Sequence, residues 1–326
     1  MIQVSELLQA TIAAHVAPDA RVLEARQREG GEQGFSAAML RYYDVTYTRA
    51  GVTERITLVT KEAPLGERRA LAWLGAQGLP VPFSYTPDLT TDAPAPVCMQ
   101  YVGARPAPGE RARQAARTLA AIHHAALGRA DELPWLPRAD PAFFARWLID
   151  ACWRRGWQRA LAGEGLVDAY GRHFGPPKPG GAFAAEFAAY TQPLEDAAAR
   201  FLRDMTALWE AGDSLTLIHA DLHDQHVRSH GGRAYVIDWG QALYGQLYVD
   251  LPNYFSREEA LLYRDALAEL GHDLPPDEFL ARYDAASPYP GFKYFGIGLW
   301  NWCYGDPPHR RDSVLHFIDM VLEGPH

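Results

Sequence analysis

One stretch constrains the fold more than any other: LIHADLHDQHVRSHGGRAYVIDWGQALYGQLYVDL, residues 217–251. Two short apolar runs enclose a dense polar cluster. Leu215 to Ile218 is leucine-rich and β-branched, which is a strand pattern. His219, Asp221, His223, Asp224 and His226 follow it. Ala234-Tyr235-Val236-Ile237 reads as another strand and ends on Asp238. Acids just past strand ends are held rigidly, and polar chemistry collects there. The crowding of His219, Asp221, His223 and His226 by itself also suits the transition-metal centre of a metal-dependent hydrolase.

The order His219-Ala220-Asp221-Leu222, with His226 four residues on, overlays the kinase loop H-R-D-L-x-x-x-N. Asp238-Trp239-Gly240 falls where kinases carry D-F-G. Together these resemble the aminoglycoside phosphotransferase/choline kinase family, whose loop usually reads H-G-D-L-H-x-x-N with a later I-D-[FW]. Gly245 to Leu251, ending Asp250-Leu251, matches a further segment that braces the loop in that family. The resemblance implies ATP- or GTP-dependent phosphorylation of a small-molecule hydroxyl, on an aminoglycoside, macrolide, choline-like amine or sugar-like acceptor. It gives Asp221 the task of orienting the hydroxyl and taking its proton. Asp238 would hold Mg2+, a hard cation that prefers carboxylate oxygen. His219 and Asp250 would support the loop. One departure stands out: His226 replaces the family's metal-binding Asn. Imidazole is a softer ligand, so Mn2+ becomes an option. The same departure admits a second reading, a catalytically weak nucleotide-binding module.

The N-terminal part fits that scheme. Val22 to Gln27 and Ala38 to Thr48 read as strands around a turn containing Gly30, Gly31 and Gly34. Glycines let backbone N–H groups approach phosphates, although the same pattern also makes a plain hairpin turn. Ile56 to Lys61 alternates and ends on the only lysine among residues 1–102. By the resemblance, Lys61 holds the α- and β-phosphates. Glu67 begins a helix and is the candidate partner of Lys61; the short gap leaves open that it only favours the helix N-terminus. Ala95 to Gly103 resembles the family's hinge, with backbone groups of Gln100 and Val102 on the nucleotide base. Ser5 is the expected cap of a first helix, with Leu7, Leu8, Ile12 and Val16 near one face.

Gly103 to Gly109 is rich in glycine and proline and marks the expected boundary between a nucleotide-binding lobe, 1–102, and a helical lobe, 103–326. Helices are expected over 110–126, 143–161, 182–209 with a break near Pro193, 258–270, 277–283, 291–302 and 310–322. The aromatic run from Tyr289 to Tyr304 and the tryptophans at 147, 153 and 157 read as core. Asp224, Asp284 and Asp306 are candidates to bind an acceptor amine. The implied fold class is α+β, a two-lobe kinase-like architecture with a small antiparallel sheet and a mostly helical remainder.

Composition bounds the rest. The net charge of -9 disfavours nucleic acid as a partner and is read first as solubility. No run of 18 apolar residues suggests a membrane span. Cys98, Cys152 and Cys303 are far apart in apolar surroundings and read as reduced thiols of a cytoplasmic protein. The expected partners are a nucleotide and a small-molecule acceptor; oligomeric state is not legible.

Overall fold

The computed structural model describes residues 2–29, 39–107, 109–178, 182–306 and 309–324. The chain forms two compact units, Met1–Ala125 with His223–Ala242, and Ala126–Leu222 with Leu243–His326.

The first unit contains α1 (Val4–His15), β1 (Arg21–Gln27), β2 (Arg41–Arg49), β3 (Val52–Ala63), α2 (Leu65–Ala76), β4 (Ser84–Tyr85), β5 (Ala95–Gln100) and most of α3 (Arg111–Ala126). The strands make one antiparallel sheet in the order β1-β2-β3-β5-β4. Alternation decides its faces. Tyr43, Val45, Tyr47, Leu58 and Cys98 pack with Leu7, Leu8 and Ile12 of α1. Lys61, three residues beyond Leu58 on the same strand, therefore lies on the other face. Ser5 does not cap α1, because the helix begins one residue earlier, and the Gln3 N–H donates to the Glu6 carboxylate at 3.1 Å.

This unit reaches past residue 102, where the sequence suggested a boundary. Hydrogen bonds explain why. The hairpin Val227–His230/Arg233–Val236 turns on Gly231 and Gly232, both at positive φ. It joins the N-terminal segment through Ser229 N–H to Ala104 C=O at 2.7 Å and Thr118 Oγ1–H to Ala234 C=O at 3.1 Å.

The second unit is mostly helical. Strand Leu215–Ile218 pairs antiparallel with Leu243–Gln246. Helices Thr191–Ala211, Ala260–Ala268, Pro276–Ala286, Tyr289–Tyr304 and Arg310–Leu322 follow the expected segments closely. Two details differ. Residues 144–154 of the expected 143–161 helix are wound as a π-helix. The break placed near Pro193 comes earlier, at the 3-10 turn Ala188–Tyr190; Pro193 sits in the first turn of the next helix, where no intrahelical N–H bond is lost. The core is aromatic, with Trp153, Trp157, Phe201, Phe292 and Phe295 all nearly inaccessible. The three cysteines are free and buried, as expected. No helix among the described residues is long and apolar enough to cross a membrane.

Candidate active site

In the first unit a charged network forms around Lys61. Its Nζ lies 2.7 Å from Glu67 Oε1 and 2.9 Å from Asp238 Oδ1. The six-residue gap between Lys61 and Glu67 suffices because β3 ends at Ala63 and α2 starts at Leu65, which puts Glu67 on the helix's first turn. Glu67 is almost wholly buried, whereas the Asp238 side chain is 46% exposed. Burial pushes the Glu67 carboxyl up, and the Lys61 ammonium offsets only part of that. Burial also opposes charge on Lys61, but the two carboxylates outweigh it and hold the ammonium above its ordinary value.

Backbone geometry fixes Asp238. It adopts a left-handed conformation, φ +64°, unusual for a non-glycine residue. Neighbouring bonds hold it there. Trp239 is buried and its Nε1–H donates to the Val236 C=O at 3.1 Å. The Ile237 N–H donates to the His226 C=O at 2.9 Å, which extends the hairpin ladder by one step. His226 Nε2 then lies 3.4 Å from Asp238 Oδ2, and the His226 ring packs on His223 at 3.8 Å between centroids. Burial works against charge on Asp238, yet His226 and Lys61 hold its pKa well below the carboxylate range. Such strain persists only where surrounding contacts over-determine it, and it clusters at functional sites.

In the second unit a different network forms around Asp221. The Asp250 carboxylate accepts the backbone N–H groups of His219 at 2.6 Å and Ala220 at 2.7 Å. The Asp221 N–H donates to His219 Nδ1 at 3.2 Å, and Asn253 Nδ2 donates to the Leu222 C=O at 2.7 Å. The Ala220 C=O accepts the Tyr289 hydroxyl at 2.8 Å and also the Lys293 ammonium. Ala220 itself sits at φ +60°, the position where the resembling family usually has glycine. The loop is thus braced residue by residue ahead of the Asp221 side chain. Lys293 Nζ donates to Asp221 Oδ1 at 2.6 Å, and the Tyr294 hydroxyl donates to the same oxygen at 2.5 Å. Burial opposes charge on Asp221, but Lys293 and Tyr294 hold its pKa below the ordinary value. Lys293, itself buried, is pulled the other way: burial lowers its pKa more than Asp221 raises it.

Lys293, Tyr294, Tyr289 and Asn253 escape a motif reading. They lie 31 to 73 residues from the loop atoms they hold, and three of them fall in or beside the aromatic stretch assigned to core. One signal was available. Only Lys61, Lys178 and Lys293 are lysines, against 28 arginines, and two of those three stand in these networks.

Other candidates fare differently. Gly30, Gly31 and Gly34 lie outside the described residues. The N–H of Gln100 donates to the Phe83 C=O at 2.9 Å, so that donor is committed inside the protein and does not serve a base edge. Val102 is buried. An open groove of about 950 Å³ runs along the first unit past Arg26, Asp44, Thr57, Gln100, Tyr101 and His230, but its lining does not include Lys61 or Asp238. Asp224 is paired with Arg111 at 2.5 Å and Asp284 with Arg257 at 2.9 Å, both pairs at the surface.

The model of the phosphotransferase enzyme family matches residues 40–290. No curated protein matches the chain. Solved structures agree in fold. Spectinomycin phosphotransferase APH(9)-Ia, in complex with ADP and spectinomycin, is 15% identical with a TM-score of 0.51, covering 97% of this chain and 95% of its own. Choline kinase from Cryptosporidium parvum Iowa II is 12% identical with a TM-score of 0.57, covering 93% and 89%. The GDP complex of aminoglycoside 2'-phosphotransferase-IIIa is 13% identical with a TM-score of 0.51, covering 98% of both chains. The fold class is that of these kinases, mixed α+β with a small antiparallel sheet.

Proposed function

The chain belongs to the phosphotransferase enzyme family and is a small-molecule kinase; from its two polar networks we infer that it transfers the terminal phosphoryl group of ATP or GTP to a hydroxyl of a small acceptor. One observation carries the assignment of residues: the Lys61 ammonium is shared between Glu67 and Asp238. Phosphoryl transfer needs positioning and neutralised charge more than covalent help. An ammonium fixed between two acids is suited to the non-bridging oxygens of a polyphosphate, with Glu67 preventing its retreat.

The ADP and GDP complexes of the similar kinases support nucleotide use. Asp238 and His226 present a carboxylate and an imidazole nitrogen to each other, a mixed donor set that fits a divalent cation completed by water and phosphate oxygens. A bound Mg2+ or Mn2+ would neutralise charge on the triphosphate. Asp221 receives the acceptor's hydroxyl hydrogen bond. The hydroxyl oxygen bonds to the terminal phosphorus, the bridging P–O bond breaks, the nucleoside diphosphate leaves and the proton passes to Asp221. His219 and Asp250 hold the loop. The acceptor, rather than the fold, decides the biological role.

The test is an acceptor screen over amino sugars, macrolides, choline-like alcohols and neutral sugars, with ATP or GTP and Mg2+ or Mn2+. Diphosphate release is followed, and product is identified by phosphorus NMR. A phosphate ester is the expected product. Stabilisation by nucleotide with no ester from any acceptor class would reduce the protein to a nucleotide-binding module.

A further inference from the structure

The Asp221 network contains more than a loop and an acid. Two neighbouring residues of one helix, Lys293 and Tyr294, deliver an ammonium and a phenol to the same oxygen, Oδ1. Each is itself fixed. The Lys293 side chain is only 5% exposed, and its ammonium also donates to the Ala220 C=O, one residue before the acid. The Tyr294 hydroxyl lies 3.3 Å from Asn253 Nδ2, which donates to the Leu222 C=O one residue after it. The backbone on both sides of Asp221 and the carboxylate itself are thus tied to the helix Tyr289–Tyr304 and its contacts.

We propose that Lys293 and Tyr294 are positioning residues that fix the Asp221 carboxylate through Oδ1 and orient its other oxygen, Oδ2, towards the accepting hydroxyl of a substrate that carries no ammonium beside that hydroxyl. This rests on the phosphotransferase reading above. Two donors converging on one oxygen set the plane of a carboxylate that would otherwise rotate about its χ angles. Charge sets the acceptor class. Asp221 already has a buried ammonium at 2.6 Å. A second ammonium next to the reacting oxygen would meet Lys293 with little water to screen it, and an anionic acceptor would meet the Asp221 carboxylate itself, whereas a neutral polyol would meet neither repulsion. Lysine suits this place better than arginine, because a compact ammonium donates to a carbonyl and a carboxylate from one atom.

The experiment uses the full chain with Lys293→Met, Lys293→Ala and Tyr294→Phe. Thermal unfolding checks folding first. The expected result is a kcat about 100-fold lower for Lys293→Met and about 10-fold lower for Tyr294→Phe, within the range for a displaced general base. ADP–Mg2+ affinity should change by less than about 3-fold, as for a residue that acts on the chemical step. Propylamine should restore turnover to Lys293→Ala, and 1-propanol at the same concentration should not; a purely structural lysine would respond to both or neither. Wild-type preference for neutral sugars over amino sugars is also expected. Unchanged kcat in Lys293→Met, or preferential phosphorylation of an amine-flanked hydroxyl, would overturn the proposal. If wild-type protein transfers no phosphoryl group at all, the functional reading fails instead. A crystal structure of Lys293→Met still decides this inference: a rotated Asp221 carboxylate supports it, and an unmoved one overturns it.

Discussion

The two polar networks invert each other. Around Lys61, one ammonium is shared by two carboxylates. Around Asp221, one carboxylate oxygen is shared by an ammonium and a phenol. With the acids ionised, Lys61, Glu67 and Asp238 carry one excess negative charge, whereas the Asp221–Lys293 pair is balanced and the Asp250 carboxylate beside it is held by backbone N–H groups. The first has room for further positive charge, which suits a metal ion accompanying a polyphosphate. In the second the Asp221–Lys293 pair is already neutral, which suits a neutral hydroxyl. Exposure differs at one residue: Asp238 is half-exposed, whereas Lys61, Glu67, Asp221 and Lys293 are 11%, 3%, 16% and 5% exposed. The Lys61 network thus meets water chiefly through Asp238, the residue proposed to hold the metal ion.

Substitutions at the centre of each network should separate these roles. Asp221→Ala is expected to lower kcat by about 1,000-fold, with nucleotide affinity by calorimetry nearly unchanged. Wild-type turnover in this variant would remove Asp221 from the reaction and erase the contrast. Lys61→Met should act on the other side, raising the nucleotide Kd by about 10- to 100-fold through a lost charge-assisted contact. It should also cost about 3 kcal/mol of stability, because Glu67 is left buried without its cation. The double variant Lys61→Met/Glu67→Gln should recover part of that stability and none of the affinity. Equal loss in single and double variants would mean that the ion pair is not what Glu67 contributes.

The sequence made one network more legible than the other for a physical reason. Lys61, Asp238 and His226 sit at strand ends and in a hairpin, where alternation and turn residues locate them. Glu67 was visible as a helix-start acid, but its reach to Lys61 depended on how soon α2 follows β3, which spacing alone left open. Asp221 and Asp250 were visible as members of a contiguous motif. Lys293 and Tyr294 were not, because they come from a helix whose pattern is dominated by core aromatics. Phe292 and Phe295 are fully buried and flank them. Hydrophobic periodicity reports the face of a helix that packs, and these two polar tips are carried on long stems beside that face. Lysine scarcity was the one compositional clue. The Ser5 cap and the Pro193 break were misjudged at the scale of one to five residues, where helix ends depend on local hydrogen bonds.

The Asp221 pair also has a signature in acid. The folded pKa of Asp221 lies below its ordinary 3.8 because Lys293 and Tyr294 outweigh burial. An acid with a depressed folded pKa adds stability above its unfolded value and loses it as pH falls through the folded one. Stability should therefore decline below about pH 4 in the wild type, and Asp221→Asn should flatten that decline. Urea midpoints at pH 7 and pH 3 measure it. An unchanged acid limb would mean that the pair with Lys293 adds nothing to folding.

The smallest effect is expected at Ala220, which shares a left-handed backbone with Asp238, φ +60° against +64°. The two cases differ in what the strain preserves. Asp238 must keep its side chain, so its strain is retained. Ala220 contributes its N–H and C=O to the network, so glycine could replace it there. Relief of the left-handed penalty favours Ala220→Gly by about 1–2 kcal/mol. Against it stand the greater freedom of glycine in the unfolded chain, about 0.4–1 kcal/mol, and one buried methyl, about 0.8 kcal/mol. These terms nearly cancel, so the unfolding free energy should stay within about 1 kcal/mol of wild type. A loss of several kcal/mol would show that the Ala220 methyl packs against its surroundings more than its strain costs, and that alanine at this position is a packing residue.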